Sequence, residues 1–179
     1  MRGHLRHLYL IALGSNLRHA RFGSPGRVLV AALERLEVEG VELVAAAPTI
    51  ETDPVGPSIR RYANSAAVIA TDLAPPGLLA LLKRIERAFG RRPGGQRWRA
   101  RVLDLDIVLW SGGAWACDEL TIPHPQFRRR GFVLAPAAHI APDWRDPLTG
   151  LTLRQLHARL TRPRAVRRAA AWTGVGSGP

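Results

Sequence analysis

The order in which hydrophobic periodicity switches along this chain constrains its fold more than any other feature. Leu8-Tyr9-Leu10-Ile11-Ala12-Leu13 is an unbroken apolar run stopped by Gly14-Ser15-Asn16, the pattern of a buried strand entering a turn. After Ser24-Pro25, residues Val28, Leu29, Ala32, Leu33 and Leu36 recur at helical spacing with charges between them, which predicts an amphipathic helix. Val41 to Ala47 reads as a second strand. Thr49 to Arg61, centred on Asp53-Pro54-Val55-Gly56-Pro57, reads as a stiff exposed loop without regular structure. Tyr62 to Ala70 predicts a third strand. Pro75-Pro76 opens a second helix through Leu78, Leu79, Leu82, Ile85, Glu86 and Phe89, and Gly90 ends it. A Gly- and Arg-rich loop, Gly90 to Arg99, delivers the chain into a strand at Val102 to Trp110. The series strand, helix, strand, strand, helix, strand is that of an α+β, ferredoxin-like split βαβ fold, an antiparallel sheet flanked by helices. Gly112-Gly113 predicts a hairpin tip, followed by an extended segment at Thr121 to Pro125. Helical stretches around Arg130 to His139 and Leu151 to Leu160 complete one domain over residues 8–160. From Thr161 the period is lost, which predicts a mobile basic tail over 161–179.

Composition narrows the class of partner. With 179 residues and 46% hydrophobic content the chain can bury one real core. The formal charge is +12, from 26 Lys+Arg against 14 Asp+Glu, and Lys83 is the single lysine. Arginine grips phosphate bidentately, so a polyanion is the expected partner, although arginine-rich usage is also a compositional habit. The lone Cys117 rules out an intrachain disulfide and a Cys-based zinc cluster. No run of about twenty apolar residues and no long apolar leader occur, so a cytoplasmic protein without a membrane partner is expected.

The tract Arg97-Trp98-Arg99-Ala100-Arg101-Val102-Leu103-Asp104-Leu105-Asp106-Ile107 carries the chemistry. Strand side chains alternate faces, so Asp104 and Asp106 project together while Leu103, Leu105 and Ile107 enter the core. Two carboxylates side by side suit Mg²⁺, which takes one or two of them and leaves its other positions to water and phosphate, and the arginines suit the same phosphates. The tract alone equally fits a plainer arrangement, the polar face of an edge strand paired with nearby arginines.

Motifs in order along the chain resolve this. Ala12-Leu13-Gly14-Ser15-Asn16; Glu51-Thr52-Asp53-Pro54-Val55-Gly56-Pro57 with Tyr62-Ala63-Asn64; Glu86 with Gly90-Arg91; Arg101 to Ile107; and Pro123-His124-Pro125 with Arg130-Gly131-Phe132-Val133-Leu134 together resemble the 6-hydroxymethyl-7,8-dihydropterin pyrophosphokinase family. The resemblance covers roughly residues 8–160. It implies transfer of the β,γ-diphosphoryl unit of ATP to the pterin hydroxymethyl oxygen with release of AMP, a step in folate biosynthesis. It implies two Mg²⁺ ions on Asp104 and Asp106, with Arg91 and Arg101 joining them as catalytic groups. ATP would lie against Glu86, Arg91, Trp98, Arg101, Ile107, His124 and Arg130. The pterin would lie against Thr52, Val55, Tyr62, Asn64, Trp98 and Phe132, and the loops Thr49–Arg61 and Gly90–Val102 would close over both substrates. A monomer without nucleic-acid partners is expected.

The chain departs from the family at one telling place. The usual Arg-Trp-Gly-Pro-Arg is Arg97-Trp98-Arg99-Ala100-Arg101 here, so a stiff Gly-Pro pair is lost and a guanidinium gained. A second loop arginine common in relatives falls on Pro93, and Ser58-Ile59-Arg60-Arg61 stands where glutamine and acidic residues are frequent. These bear on loop closure rather than on the acid pair. An RNA-binding module is a poorer fit, because unmetallated Asp104 and Asp106 would repel phosphate. An inactive pterin-binding relative is a poorer fit because the acid pair and phosphate arginines are intact.

Overall fold

A computed structural model describes residues 6–53, 61–90 and 102–163. The elements run β1 (His7–Ser15), α1 (Pro25–Val38), β2 (Glu42–Ala46), β3 (Ile50–Thr52), β4 (Tyr62–Thr71), α2 (Pro75–Ala88), β5 (Asp104–Trp110), β6 (Trp115–Cys117), β7 (Leu120–Ile122), α3 (Gly131–Ile140) and α4 (Leu153–Thr161), with a 3-10 turn at Phe127–Arg129. The main sheet has the order β2-β4-β1-β5, with β3 also on β4, and every pairing in it is antiparallel. That is the ferredoxin-like arrangement read from the sequence.

Local chemistry sets the boundaries. Proline stands in the first turn of both α1 and α2, where its missing N–H would have had no helical partner. Gly40 (φ 82°) and Gly90 (φ 94°) follow their C-termini in the left-handed conformation that glycine adopts freely. Thr152 and Gln155 form a reciprocal capping box at the start of α4.

Two cores share the sheet. On one face α1 and α2 press Leu29, Leu36, Leu78, Leu82 and Ile85 against Ile11, Leu13 and Leu105. On the other, α3 and α4 press Val133, Leu134, Leu153 and Leu156 against Leu10, Ala12, Val68 and Val108. Leu103, Leu105 and Ile107 are all buried on the α1/α2 side, as the alternation predicts.

The expected loop at Thr49–Arg61 is corrected at its start, because Ile50, Glu51 and Thr52 pair with Asn64, Ala63 and Tyr62. The first proline of that stretch is Pro54, so residues 50–52 keep their backbone donors. The hairpin tip is corrected too. Gly113 N–H does bond Trp110 O at 3.0 Å, but the hairpin proper is β6–β7, which turns at Asp118-Glu119. Its strands are three residues each, too short to impose a period on the sequence.

Candidate active site

Register decides which side chains can meet. Asp104 lies opposite Gly14 on β1, Gly14 lies opposite Asn64 on β4, and Asn64 lies opposite Ile50 on β3. Residues in such a row share a face, so Asn64 and Asp104 stand on either side of a residue without a side chain, about 10 Å apart at strand spacing. A Cβ at Gly14 would sit 3.4 Å from Asn64 Oδ1, so glycine keeps this floor open. In the next row on that face Asp106 lies opposite Ala12, which lies opposite Ala66. Small residues thus make a flat platform on the α3/α4 side of the sheet, bordered by Asp104 and Asp106 at one edge and by Asn64 at the other.

Thr52 and Tyr62 pair with each other and fall on the same face as Asn64 by strand parity. Asn64 is 5% exposed and its Nδ2 donates to Thr52 Oγ1 at 2.7 Å, which fixes the plane of the amide. Phe132 opens α3 and packs at the margin of the α3/α4 core. The structure therefore brings Thr52, Tyr62 and Asn64 to the face that carries the acid pair.

Two further groups converge on Asp106. His124 Nε2 is 3.8 Å and an Arg130 guanidinium nitrogen 3.7 Å from Asp106 Oδ2. Arg130 also lies 5.8 Å from the centroid of the Phe132 ring. His124 N–H bonds Val108 O at 3.0 Å on the outer edge of β5, and Gln126 N–H donates to His124 Nδ1 at 3.1 Å. The imidazole proton is thereby assigned to Nε2, the nitrogen that faces Asp106. Burial is the main cause holding the His124 pKa below its ordinary value, and Arg130 adds to it while Asp106 opposes both. His124 thus presents Nε2 as a hydrogen-bond donor toward Asp106.

Glu86 is 3% exposed, and its Oε1 accepts the Leu105 N–H at 2.8 Å. A carboxylate on the buried face of α2 therefore anchors the backbone between Asp104 and Asp106. Ile107 is buried in the α1/α2 core. It also borders a cavity of about 320 Å³ that Asp106 and His124 share with Leu79, Leu120 and Thr121. The sequence reading made the β7 wall extended from Thr121 but missed its pairing with β6. Val55, Arg91, Trp98 and Arg101, together with Arg99 and Ala100, lie outside the described residues.

The donor chemistry fits a hard divalent cation held jointly with a ligand. Asp104 and Asp106 offer only oxygen, and both are part-exposed on one face of β5. Among the described residues no group of three or more His, Cys, Asp or Glu side chains could enclose a metal. Two carboxylates completed by phosphate oxygens need no such cage. Among the described residues no helix is long and apolar enough to cross a membrane.

The chain is similar to several known proteins. A family model described as 7,8-dihydro-6-hydroxymethylpterin-pyrophosphokinase (HPPK) matches residues 10–142. The 2-amino-4-hydroxy-6-hydroxymethyldihydropteridine pyrophosphokinase of Synechocystis sp. is 37% identical over 150 residues, which cover 84% of this chain and 74% of the relative. The protein of the same name from Pseudomonas aeruginosa is 40% identical over 139 residues, covering 76% of this chain and 82% of its own. Among solved structures, Plasmodium falciparum HPPK-DHPS with pteroate aligns at a TM-score of 0.66 and 13% identity, a likeness of fold. That match covers 86% of this chain and 42% of the Plasmodium chain, so this chain spans less than half of that protein.

Proposed function

Since this chain belongs to the 7,8-dihydro-6-hydroxymethylpterin-pyrophosphokinase family and is a pyrophosphokinase of folate biosynthesis, we propose that it moves the β,γ-diphosphoryl unit of ATP onto the hydroxymethyl oxygen of 6-hydroxymethyl-7,8-dihydropterin and releases AMP. The observation that carries this reading is the platform on the α3/α4 face. Two carboxylates, a histidine and an arginine converge at one edge, and a fixed asparagine amide stands at the other.

Asp104 and Asp106 would hold two Mg²⁺ ions, which when bound neutralise the triphosphate and polarise the phosphorus under attack. The rest is work for side chains. Arg130, with Arg91 and Arg101, binds phosphate oxygens and keeps the chain of phosphates extended. His124 offers its Nε2–H to a phosphate oxygen as a hydrogen-bond donor. Asn64 presents an amide to the pyrimidine edge of the pterin, with its plane held by the Thr52 hydroxyl. Tyr62, Phe132 and Trp98 supply aromatic faces for the bicycle, and Thr52 and Val55 border it through backbone. Glu86 holds the strand between the acids in place and stands beside the nucleotide. Ile107 borders the cavity that receives it.

Incubation with ATP, Mg²⁺ and 6-hydroxymethyl-7,8-dihydropterin is expected to yield AMP, and omission of either the pterin or Mg²⁺ to abolish it. Equal nucleotide turnover without the pterin would reduce the protein to an ATPase and overturn the reading.

A further inference from the structure

His124 and Arg130 hang from a segment with little regular structure of its own. Backbone bonds from Phe127 N–H to His124 O at 3.1 Å and from Arg130 N–H to Phe127 O at 3.2 Å curl it into the 3-10 turn. Phe127 is 1% exposed and sinks into the α3/α4 core. The next residue ties the turn to a distant part of the chain. Arg128 Nε and a terminal guanidinium nitrogen donate to Oδ2 and Oδ1 of Asp146 at 2.7 and 2.6 Å, and its guanidinium lies 4.7 Å from the Phe127 ring centroid.

Asp146 is 0% exposed and sits in the connection between α3 and α4. It also accepts from the Thr149 hydroxyl at 2.5 Å and from Leu148 N–H at 3.2 Å. Its backbone closes a turn, with Asp146 N–H on Leu151 O at 2.9 Å and Gly150 N–H on Asp146 O at 2.8 Å. The segment that carries His124 and Arg130 is thereby fastened to a rigid turn by a planar, bidentate fork.

We propose that the part-buried Arg128–Asp146 pair is a positioning device for the nucleotide site: it holds His124 and Arg130 at their stations beside Asp106, so that affinity for the metal–triphosphate depends on two residues that do not themselves face Asp106. The proposal rests on the reading above, in which His124 and Arg130 meet phosphate. Net stability is a poor reason for such a pair, because buried ion pairs are often no better than apolar residues of similar volume. Geometry is a better one, since a displacement of about 1 Å in a site costs on the order of a hundredfold. Arg128 is two residues from Arg130 and four from His124, so a swing of the turn moves both.

The test is calorimetric binding of MgATP to the full chain, at a temperature where circular dichroism shows each variant folded. The variants are Arg128→Lys, the double replacement Arg128→Met with Asp146→Leu, and Arg130→Ala. Arg128→Lys keeps the charge but loses the fork, and is expected to weaken MgATP by about fivefold or more. The double variant, which leaves no unpaired guanidinium, is expected to melt above Asp146→Ala yet stay about tenfold weaker for MgATP, with pterin affinity at saturating non-hydrolysable nucleotide unchanged within about twofold. Should the double variant not fold, Arg128→Lys decides alone. Native MgATP affinity in the clamp variants, or equal losses for both ligands, overturns the positioning role while Arg130→Ala still binds weakly. Native binding in Arg130→Ala as well would instead overturn the site reading beneath it.

Discussion

Asp104→Ala and Asp106→Ala are each expected to cut turnover by on the order of a thousandfold, equivalent to about 4 kcal/mol of transition-state stabilisation. The size follows from the work the carboxylates would do in the proposed reaction. The reacting phosphates carry dense negative charge, and a carboxylate-held cation is the strongest single means of offsetting it in a site with little covalent chemistry of its own. The fold should survive, because both side chains are part-exposed and neither belongs to a hydrophobic core, whereas Leu105 between them is buried. Steady-state AMP release measured beside thermal melting checks both halves. Near-normal turnover in both variants, with melting unchanged, would remove the acids from the mechanism.

The second large effect falls on stability. Asp146→Ala leaves Arg128, only 26% exposed, without its partner, and strips the Thr149 hydroxyl and Leu148 N–H of their acceptor. Removing one member of a buried pair costs about 3–5 kcal/mol, and the part-exposed Arg128, which regains some water, places this one at the low end, about 3 kcal/mol. At roughly 2–4 °C per kcal/mol for a chain of this size, the melting temperature should fall by on the order of 10 °C. A pH signature separates this from a simple packing loss. Burial pushes the Asp146 carboxyl up, but the Arg128 fork, the Thr149 hydroxyl and the Leu148 N–H outweigh it and hold the pKa below the ordinary value. A carboxylate with a depressed folded-state pKa stabilises fully above its unfolded pKa of about 4, and that contribution is lost as pH falls through the folded pKa. The melting temperatures of the wild type and Asp146→Asn should therefore differ most at neutral pH and converge below about pH 4. A gap that stays constant down to pH 3 would contradict the ionised pair.

The fold was largely legible because its long elements have clean periods. The runs at 8–13 and 62–70 and the helical spacing from Val28 to Leu36 each signal one element type, and β1, β4 and α1 stand where they point. What escaped was short or distant. Ile50–Thr52 looked like the approach to a proline loop, and only its pairing with β4 makes it a strand. Residues 115–117 and 120–122 are a hairpin whose alternation spans a single repeat on each strand.

For the site, alternation placed Asp104 and Asp106 on one face, but it could not choose between a metal site and the polar face of an edge strand. Both features of the plainer arrangement are present, since β5 is an edge strand and Arg130 lies near Asp106. The cross-strand register adds what spacing within one segment cannot, namely that Asn64, Gly14 and Asp104 share a row. The Arg128–Asp146 pair was illegible for the same reason. In a run of three consecutive arginines, nothing marks the first as the one whose partner lies 18 residues on.

The most direct test of the account is the fate of labelled phosphorus in a single reaction. With ATP labelled at the β position the account predicts that the label leaves with the pterin product, and with ATP labelled at the α position that it stays in AMP. Label from the α position in the pterin, or β label retained in ADP, would contradict attack at the β-phosphorus and with it the proposed reaction.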